Sequence, residues 1–334
     1  MSNEASNKIS VKEIASELGI STTTVSRTLS GKGRVGEDTK KRILDYIQAN
    51  DYQPNIRQKT SAGKTRNICV TLPGESNFAE LPFFTRILMC IYDYFEARDY
   101  NVIPIKLTAS DISPLVKLVE KNKIDGVIFT RSIPESKGVQ YVQQQGVPFV
   151  IVGTYDDKSV WQVDADQENG CRELTSILIR KGMRKIALFC ADRTHVVTKM
   201  RYKGFVRAFR ENDIPIDQNL ICDDAGNEVV ADKAVEDMLK EQVECIVCMD
   251  DKICINVLNK LRREKVNIPE DIKVASFYSS WLLGSCDPPI TCVEFDAQEM
   301  GLEASKMLMD ILEGDMIPKK VLLGYQVMLK QSTK

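Results

Sequence analysis

Over residues 9–50 the apolar positions fall at helical spacing. Val11, Ile14, Ala15 and Leu18 keep the i, i+3, i+4, i+7 rhythm of an amphipathic helix. Ser10 with Glu13 writes a capping box at its start, and Gly19 ends it, because a left-handed turn costs glycine nothing. Ser21 can then cap a second helix that turns Val25 and Leu29 inward and carries Thr22, Thr23, Ser26 and Arg27 on its outer face. A third apolar set, Ile43, Leu44 and Ile47, runs beside Lys40, Lys41 and Arg42, and Pro54 stops helix in the residue before it. Two short helices joined by a glycine turn, the second with a polar outer face, predict a helix-turn-helix. Solubility alone also makes a surface helix polar outside, which is the competing explanation.

From residue 67 the pattern changes to short apolar runs alternating with helical stretches. Strands are predicted over 67–72, 101–107, 125–130 and 148–152, with helices over 83–98, from Ser113 and Pro114, and over 137–145. A second round begins near Trp161. It has helices over 169–181, 199–211, 228–241, 251–264 and 298–313, and strands over 185–190, 245–249, 273–277 and 291–295, with a last strand near 320–329. Alternation of this kind implies parallel βαβ units with both sheet faces covered. The predicted class is α/β: an all-α headpiece, then two doubly wound parallel sheets forming a two-lobed body with a cleft.

Composition narrows the class. A chain of 334 residues with 43% hydrophobic content suits a small unit plus a large one. It has no run of about eighteen apolar residues, and residues 1–8 lack the apolar region of a secretory signal. A cytosolic protein without a membrane span is therefore expected. The ten cysteines are then expected to be reduced core residues. Cys245 and Cys248 have CxxC spacing, but inside a strand i and i+3 point to opposite faces, a poor geometry for a metal or a disulfide. His195 is the only histidine, so no metal site, cofactor or catalytic constellation is expected. Residues 1–66 hold 12 Lys and Arg against 7 Asp and Glu, a balance of +5 on a chain of net −2. A basic end on an acidic body fits a unit that meets phosphates.

Several landmarks carry a resemblance. Residues 11–27, Asp51-Tyr52-Gln53-Pro54-Asn55 and Ala62-Gly63-Lys64 resemble the headpiece of the lactose/galactose-repressor family of bacterial transcription regulators. In the body, Val163-Asp164-Ala165-Asp166, residues 180–188, Arg201-Tyr202-Lys203-Gly204-Phe205 and residues 267–272 extend it over nearly the whole chain. The resemblance implies a periplasmic-binding-protein-like body. The domains would be a headpiece over 1–54, a hinge over 55–66 and a body over 67–334. Lobe 1 would take about 67–160 plus 291–320 and lobe 2 about 161–290 plus 321–334, with crossovers near Trp161, Pro289 and Lys320.

The same resemblance assigns residues. Thr22 and Thr23 match base-reading positions, and Ser21, Thr24, Ser26 and Arg27 match base or phosphate contacts. Ser10, Ser30, Arg34 and Thr39 match backbone contacts, although a loop charge and a helix-start residue would account for the last two. Tyr52, Asn55, Arg57 and Lys59 complete the DNA set, with Ser61 standing where the family has a leucine that wedges into the minor groove. For an effector the resemblance implies Pro73, Phe83, Phe84, Gly153, Arg193, Val197, Arg201, Asp250, Tyr278 and Phe295. The alternatives are a solvated helix charge for Arg201 and ordinary core for Phe83 and Phe84; Asp251 reads as a helix cap. Gly153 and Tyr278 replace two family aspartates. That favours an effector with a phosphate, a carboxylate or an aromatic face, with a neutral sugar as runner-up.

The implied function is a DNA-binding transcription regulator and repressor, gated by a small cytosolic metabolite. Its partners would be double-stranded operator DNA, a sugar, sugar phosphate or other metabolite, and a second copy of itself, as a homodimer or higher oligomer. The rivals are a ligand receptor that no longer reads DNA and an enzyme on an α/β scaffold.

Overall fold

A computed structural model describes residues 11–30, 35–49, 64–74 and 82–334. The chain divides into a small unit ending at Lys64 and a large one beginning at Thr65.

Among the described residues the small unit holds three helices, α1 (Val11–Glu17), α2 (Thr22–Ser30) and α3 (Glu37–Ala49). Gly19 sits at φ +65° between the first two, and the Ile20 N–H donates to the Ala15 carbonyl at 3.0 Å. That left-handed step reverses the chain sharply enough to bring Val25 onto Ile14, Ala15 and Ile43, all buried. Leu18, Ile20 and Tyr46 pack around them. Leu44, expected inside, is 43% exposed. It lies about 100° around the helix from Ile43, outside the narrow face that a core of this size can cover. Ser10 lies outside the described residues, as do the side chains of Glu13, Leu29 and Ile47.

The large unit contains 12 strands and nine α-helices among the described residues. The first half runs β1 (Asn67–Pro73), α4 (Pro82–Glu96), β2 (Asn101–Leu107), α5 (Ser113–Glu120), β3 (Gly126–Phe129), α6 (Lys137–Gln144), β4 (Phe149–Val152) and β5 (Gln162–Ala165). The second runs α7 (Gln167–Arg180), β6 (Ile186–Phe189), α8 (Val196–Glu211), β7 (Ile221–Cys222), α9 (Glu228–Lys240), β8 (Cys245–Cys248), α10 (Asp251–Arg263), β9 (Lys273–Ser276), α11 (Trp281–Gly284) and β10 (Thr291–Glu294). The chain closes with α12 (Ala297–Glu313), β11 (Lys320–Leu323) and β12 (Gln326–Met328).

Two six-stranded sheets result, ordered β11-β5-β4-β3-β1-β2 and β12-β10-β9-β8-β6-β7. Every neighbouring pair is parallel except β10 with β12. Strands β3, β4, β6 and β8 are buried along their whole length, as apolar runs covered on both faces must be.

Pairing also corrects the lobe boundaries. Residues 162–165 join the first sheet, where the sequence put them in lobe 2, and β10 joins the second, where the sequence put it in lobe 1. The expected single strand near 320–329 is two, one in each sheet, separated by Gly324 and Tyr325. The crossovers therefore follow Ala165, Glu294 and Leu323. The apolar pattern hides β5 because Gln162 and Asp164 are polar yet buried, each satisfied by hydrogen bonds.

Helix α8, which carries several residues of the cavity described below, is seated by one glycine. A Cβ at Gly204 would come within 2.3 Å of the Glu168 carbonyl oxygen on α7, so only glycine allows this approach. All ten cysteines are free thiols. No helix among the described residues is long and apolar enough to cross a membrane.

Candidate functional site

In the small unit, the Thr24 N–H donates to Ser21 Oγ at 3.1 Å, which caps α2. The Ser21 and Thr24 hydroxyls also bond each other at 2.8 Å, so these two side chains serve the helix start. Thr22, Thr23 and Arg27 are exposed on α2, and Thr39 is half-buried in α3. Arg42 Nη2 donates to the Leu18 carbonyl at 3.3 Å, tying α3 to the turn. Of the other expected DNA contacts, Ser10, Arg34, Tyr52, Asn55, Arg57, Lys59 and Ser61 lie outside the described residues, as do the side chains of Ser26 and Ser30.

In the large unit a cavity of about 330 Å³ opens between the lobes. It lies at the carboxyl ends of the strands of both sheets, where loops leave the sheet and helix N-termini begin. From lobe 1 come Pro73 at the end of β1, Thr130 and Ser132 after β3, Gly153 after β4, Asp164 in β5, and Phe83 and Phe84 in α4. From lobe 2 come Val197 and Arg201 in α8, Asp250 and Asp251 after β8, and Tyr278 after β9. Phe295, just past β10, completes the wall. Nine of the ten expected effector residues thus line one cavity.

Arg201 is 8% exposed, which removes the reading as a solvated helix charge. Its Nε donates to Gln167 Oε1 at 2.9 Å and its Nη1 to the Met249 carbonyl at 2.6 Å. The guanidinium also lies 5.6 Å from the Tyr278 ring centroid and 5.7 Å from that of Phe295, within cation–π range. Both hydrogen-bond partners are neutral, so the positive charge stays in the cavity wall.

The aromatic residues form one cluster. Phe83 meets Phe84 edge-on at 5.2 Å and Tyr278 at 5.7 Å, and both phenylalanines are half-buried. Tyr278 is aimed by a local turn in which its N–H donates to Ser276 Oγ and that hydroxyl donates to the Tyr278 carbonyl. Burial pushes the Tyr278 phenol well above its usual range.

Three expectations change. Arg193 does not line the cavity: it pairs with Asp223 and lies over the Tyr202 ring at 4.8 Å. The cap of α10 is Asp250, whose Oδ1 accepts from the Ile253 N–H at 2.9 Å; Asp251, expected in that role, is the first helical residue. Asp251 Oδ2 is buried with no hydrogen-bond partner among the described residues. The cavity also does not lack carboxylates, because Asp164, Asp192, Asp250 and Asp251 all line it.

Sequence reasoning missed Asp164, Gln167, Thr130, Ser132, His195 and Thr198. Their signal was position at the carboxyl ends of parallel strands or in the helix starts that follow, a rule that needs the strand bounds first. Asp164 accepts from the Thr154 hydroxyl and the Ala165 N–H, both at 2.8 Å. Burial raises its carboxyl above the usual value, partly offset by those bonds. Burial likewise raises Asp250, against the Ile253 N–H. Gly153 explains one absent aspartate: it sits at φ +110°, and a Cβ there would be 3.0 Å from Ser132 Cβ.

Comparison with known proteins matches the two units separately. Residues 10–55 match the model of bacterial regulatory proteins of the lacI family, and residues 175–333 match a periplasmic binding protein-like domain. The transcriptional regulator RegA of Clostridium saccharobutylicum is 28% identical over 97% of this chain and 99% of its own. Among solved structures, a complex of the transcriptional regulator CelR with cellobiose has a TM-score of 0.74 at 23% identity, covering 97% of this chain and 100% of that one. The regulator CcpA of Lactococcus lactis has a TM-score of 0.71 at 22% identity, over 80% of this chain and 99% of its own.

Proposed function

The chain belongs to the lacI family of bacterial transcription regulators, and from that premise we propose that it is a homodimeric repressor whose operator affinity is set by a metabolite held between the lobes. The observation that carries the proposal is the interlobe cavity. Residues from both lobes meet there around a buried cation, so an occupant that touches both lobes favours one lobe arrangement over another. Such differential binding is what shifts a two-state equilibrium. Aromatic walls from Phe83, Phe84 and Tyr278 suit the face of a sugar ring or another flat group, and Asp164, Asp250 and Gln167 can accept its hydroxyls.

On the DNA side, Thr22, Thr23 and Arg27 on the exposed face of α2 are the reading residues in this proposal. A single headpiece covers only a half-site, so two are required on one duplex. Exposed Met89 (52%) and Tyr92 (47%), one turn apart on α4, offer apolar surface that a second copy would cover.

The test is fluorescence anisotropy on operators selected from random duplexes. Affinity should demand a two-fold-related site and fall steeply with salt, because the basic headpiece releases counterions. Arg27→Ala should abolish specific binding, and a metabolite that raises the thermal midpoint should change operator affinity. A metabolite that stabilises the body strongly yet leaves operator affinity untouched sinks the gating proposal.

A further inference from the structure

Helix α8 begins at the cavity, and its start is bare. The N-cap residue His195 makes no side-chain capping bond, and the first turn carries no acidic residue. The backbone N–H groups of Val196, Val197 and Thr198 have no partner among the described residues; the first helical bond is that of Lys199 to the His195 carbonyl. Helix starts normally satisfy such donors with a side chain, water or a ligand. All three residues line the cavity.

A second observation is independent of the helix end. The Thr198 side chain is buried (2% exposed), lines the cavity and makes no hydrogen bond among the described residues. Its hydroxyl can therefore donate into the cavity. One turn on, Arg201 uses Nε and Nη1 on Gln167 and Met249, while its Nη2 makes no hydrogen bond among the described residues. Thr198 and Arg201 are three apart, so they are neighbours on one face of α8.

We propose that this start of α8 is an anion subsite, and that the effector carries a phosphate or carboxylate group seated on the Val197 and Thr198 N–H groups, the Thr198 hydroxyl and Arg201. Backbone donors and the positive end of a helix favour an anion there, and the guanidinium adds paired N–H donors. The neighbouring α10 is the opposite case: Asp250 caps it and Asp251 follows. The carboxylates at the start of α10 disfavour an anion on that side, while Asp192, in the turn before α8, has its Oδ1 bonded to the Thr194 N–H at 2.7 Å and its Oδ2 3.9 Å from His195 Nε2. The effector class is then an acidic, hydroxyl-bearing metabolite such as a sugar phosphate or a sugar acid.

The proposal rests on the cleft being the effector site, and the test separates the two. Inorganic phosphate is titrated into the full chain and followed by ³¹P line broadening. A panel pairing neutral pentoses and hexoses with their phosphates and uronic acids is then screened by thermal shift. Phosphate should bind saturably. Thr198→Val should weaken it about tenfold, as expected for losing a hydrogen bond to a charged group, and Thr198→Ser should restore it. Phosphate binding absent, or unchanged in both Thr198→Val and Arg201→Gln, overturns the subsite. Neutral sugars that stabilise the protein in a Phe84-dependent way, with their phosphates inert, overturn the subsite and leave the cleft reading standing. A panel with no response that Phe84→Ala removes overturns both.

Discussion

The two lobes contribute different chemistry to one cavity. Lobe 1 supplies Phe83, Phe84, Pro73, the hydroxyls of Thr130 and Ser132, and the close turn at Gly153; apart from Arg131, its one charged lining residue is Asp164. Lobe 2 adds one ring to the aromatic cluster, Tyr278, and supplies most of the charge: Arg201, His195, Lys252, Asp192, Asp250 and Asp251. Both walls stand at the carboxyl ends of parallel sheets, so the topology is the same and the side chains make the difference. Lobe 2 presents two adjacent helix starts and therefore fixed dipoles and charge; lobe 1 presents α4, which brings an aromatic pair. An occupant would have most of its polar groups oriented by lobe 2 and most of its apolar face covered by lobe 1, with Tyr278 and Asp164 the exceptions on each side.

That division can be broken by experiment. The largest effect should come from Arg201→Ala, which removes the buried cation and leaves Gln167 Oε1 and the Met249 carbonyl without their donor. Effector affinity should fall about a hundredfold, and the thermal midpoint should drop even without effector, since buried acceptors left unpaired are costly. Calorimetric titration and thermal melts read both. Phe84→Ala on the lobe 1 side should cost about tenfold, the scale of one aromatic contact. It should weaken acidic and neutral members of a ligand panel alike. A larger loss for Phe84→Ala than for Arg201→Ala would reverse the assignment of roles.

The smallest effect sharpens the comparison within lobe 2. Burial raises the folded-state pKa of Asp250 above its ordinary value of 3.8. A carboxyl shifted in that direction contributes stability that is fully present below the unfolded pKa and lost as pH rises through the folded one. Asn caps helices as well as Asp does, so Asp250→Asn should melt higher than the wild type at neutral pH. The gap should close as pH falls toward 4. A gap that widens in acid would show that the ionised carboxylate stabilises the fold.

Much of this was legible in the residues. The spacing of Ile14, Val25 and Ile43 around Gly19 encodes the small unit, because helix periodicity and a left-handed turn are local properties. The resemblance placed Phe83, Phe84, Arg201, Asp250, Tyr278 and Phe295, and all six line the cavity. It failed for Arg193, because an exposed aspartate 30 residues away, Asp223, holds that side chain. It also misses the carboxylates that remain: Gly153 and Tyr278 do replace two family aspartates, but Asp164, a landmark of the resemblance with no cavity role assigned, lines the cavity from a strand without an apolar pattern.

By itself the sequence determined the kinds of elements, their order, the helix-turn-helix and the basic charge of the first 66 residues. These depend on neighbours within a few positions along the chain, where periodicity, capping and turn chemistry act. The tertiary structure alone decided which sheet receives β5, β10, β11 and β12, whether Asp250 or Asp251 caps α10, and which helix start remains open. Those outcomes depend on strand pairing and on groups 30 to 157 residues apart, such as Asp223 with Arg193 or Gln162 with the Lys319 carbonyl. No local pattern records them, because burial and hydrogen-bond partners exist only once the chain has closed on itself.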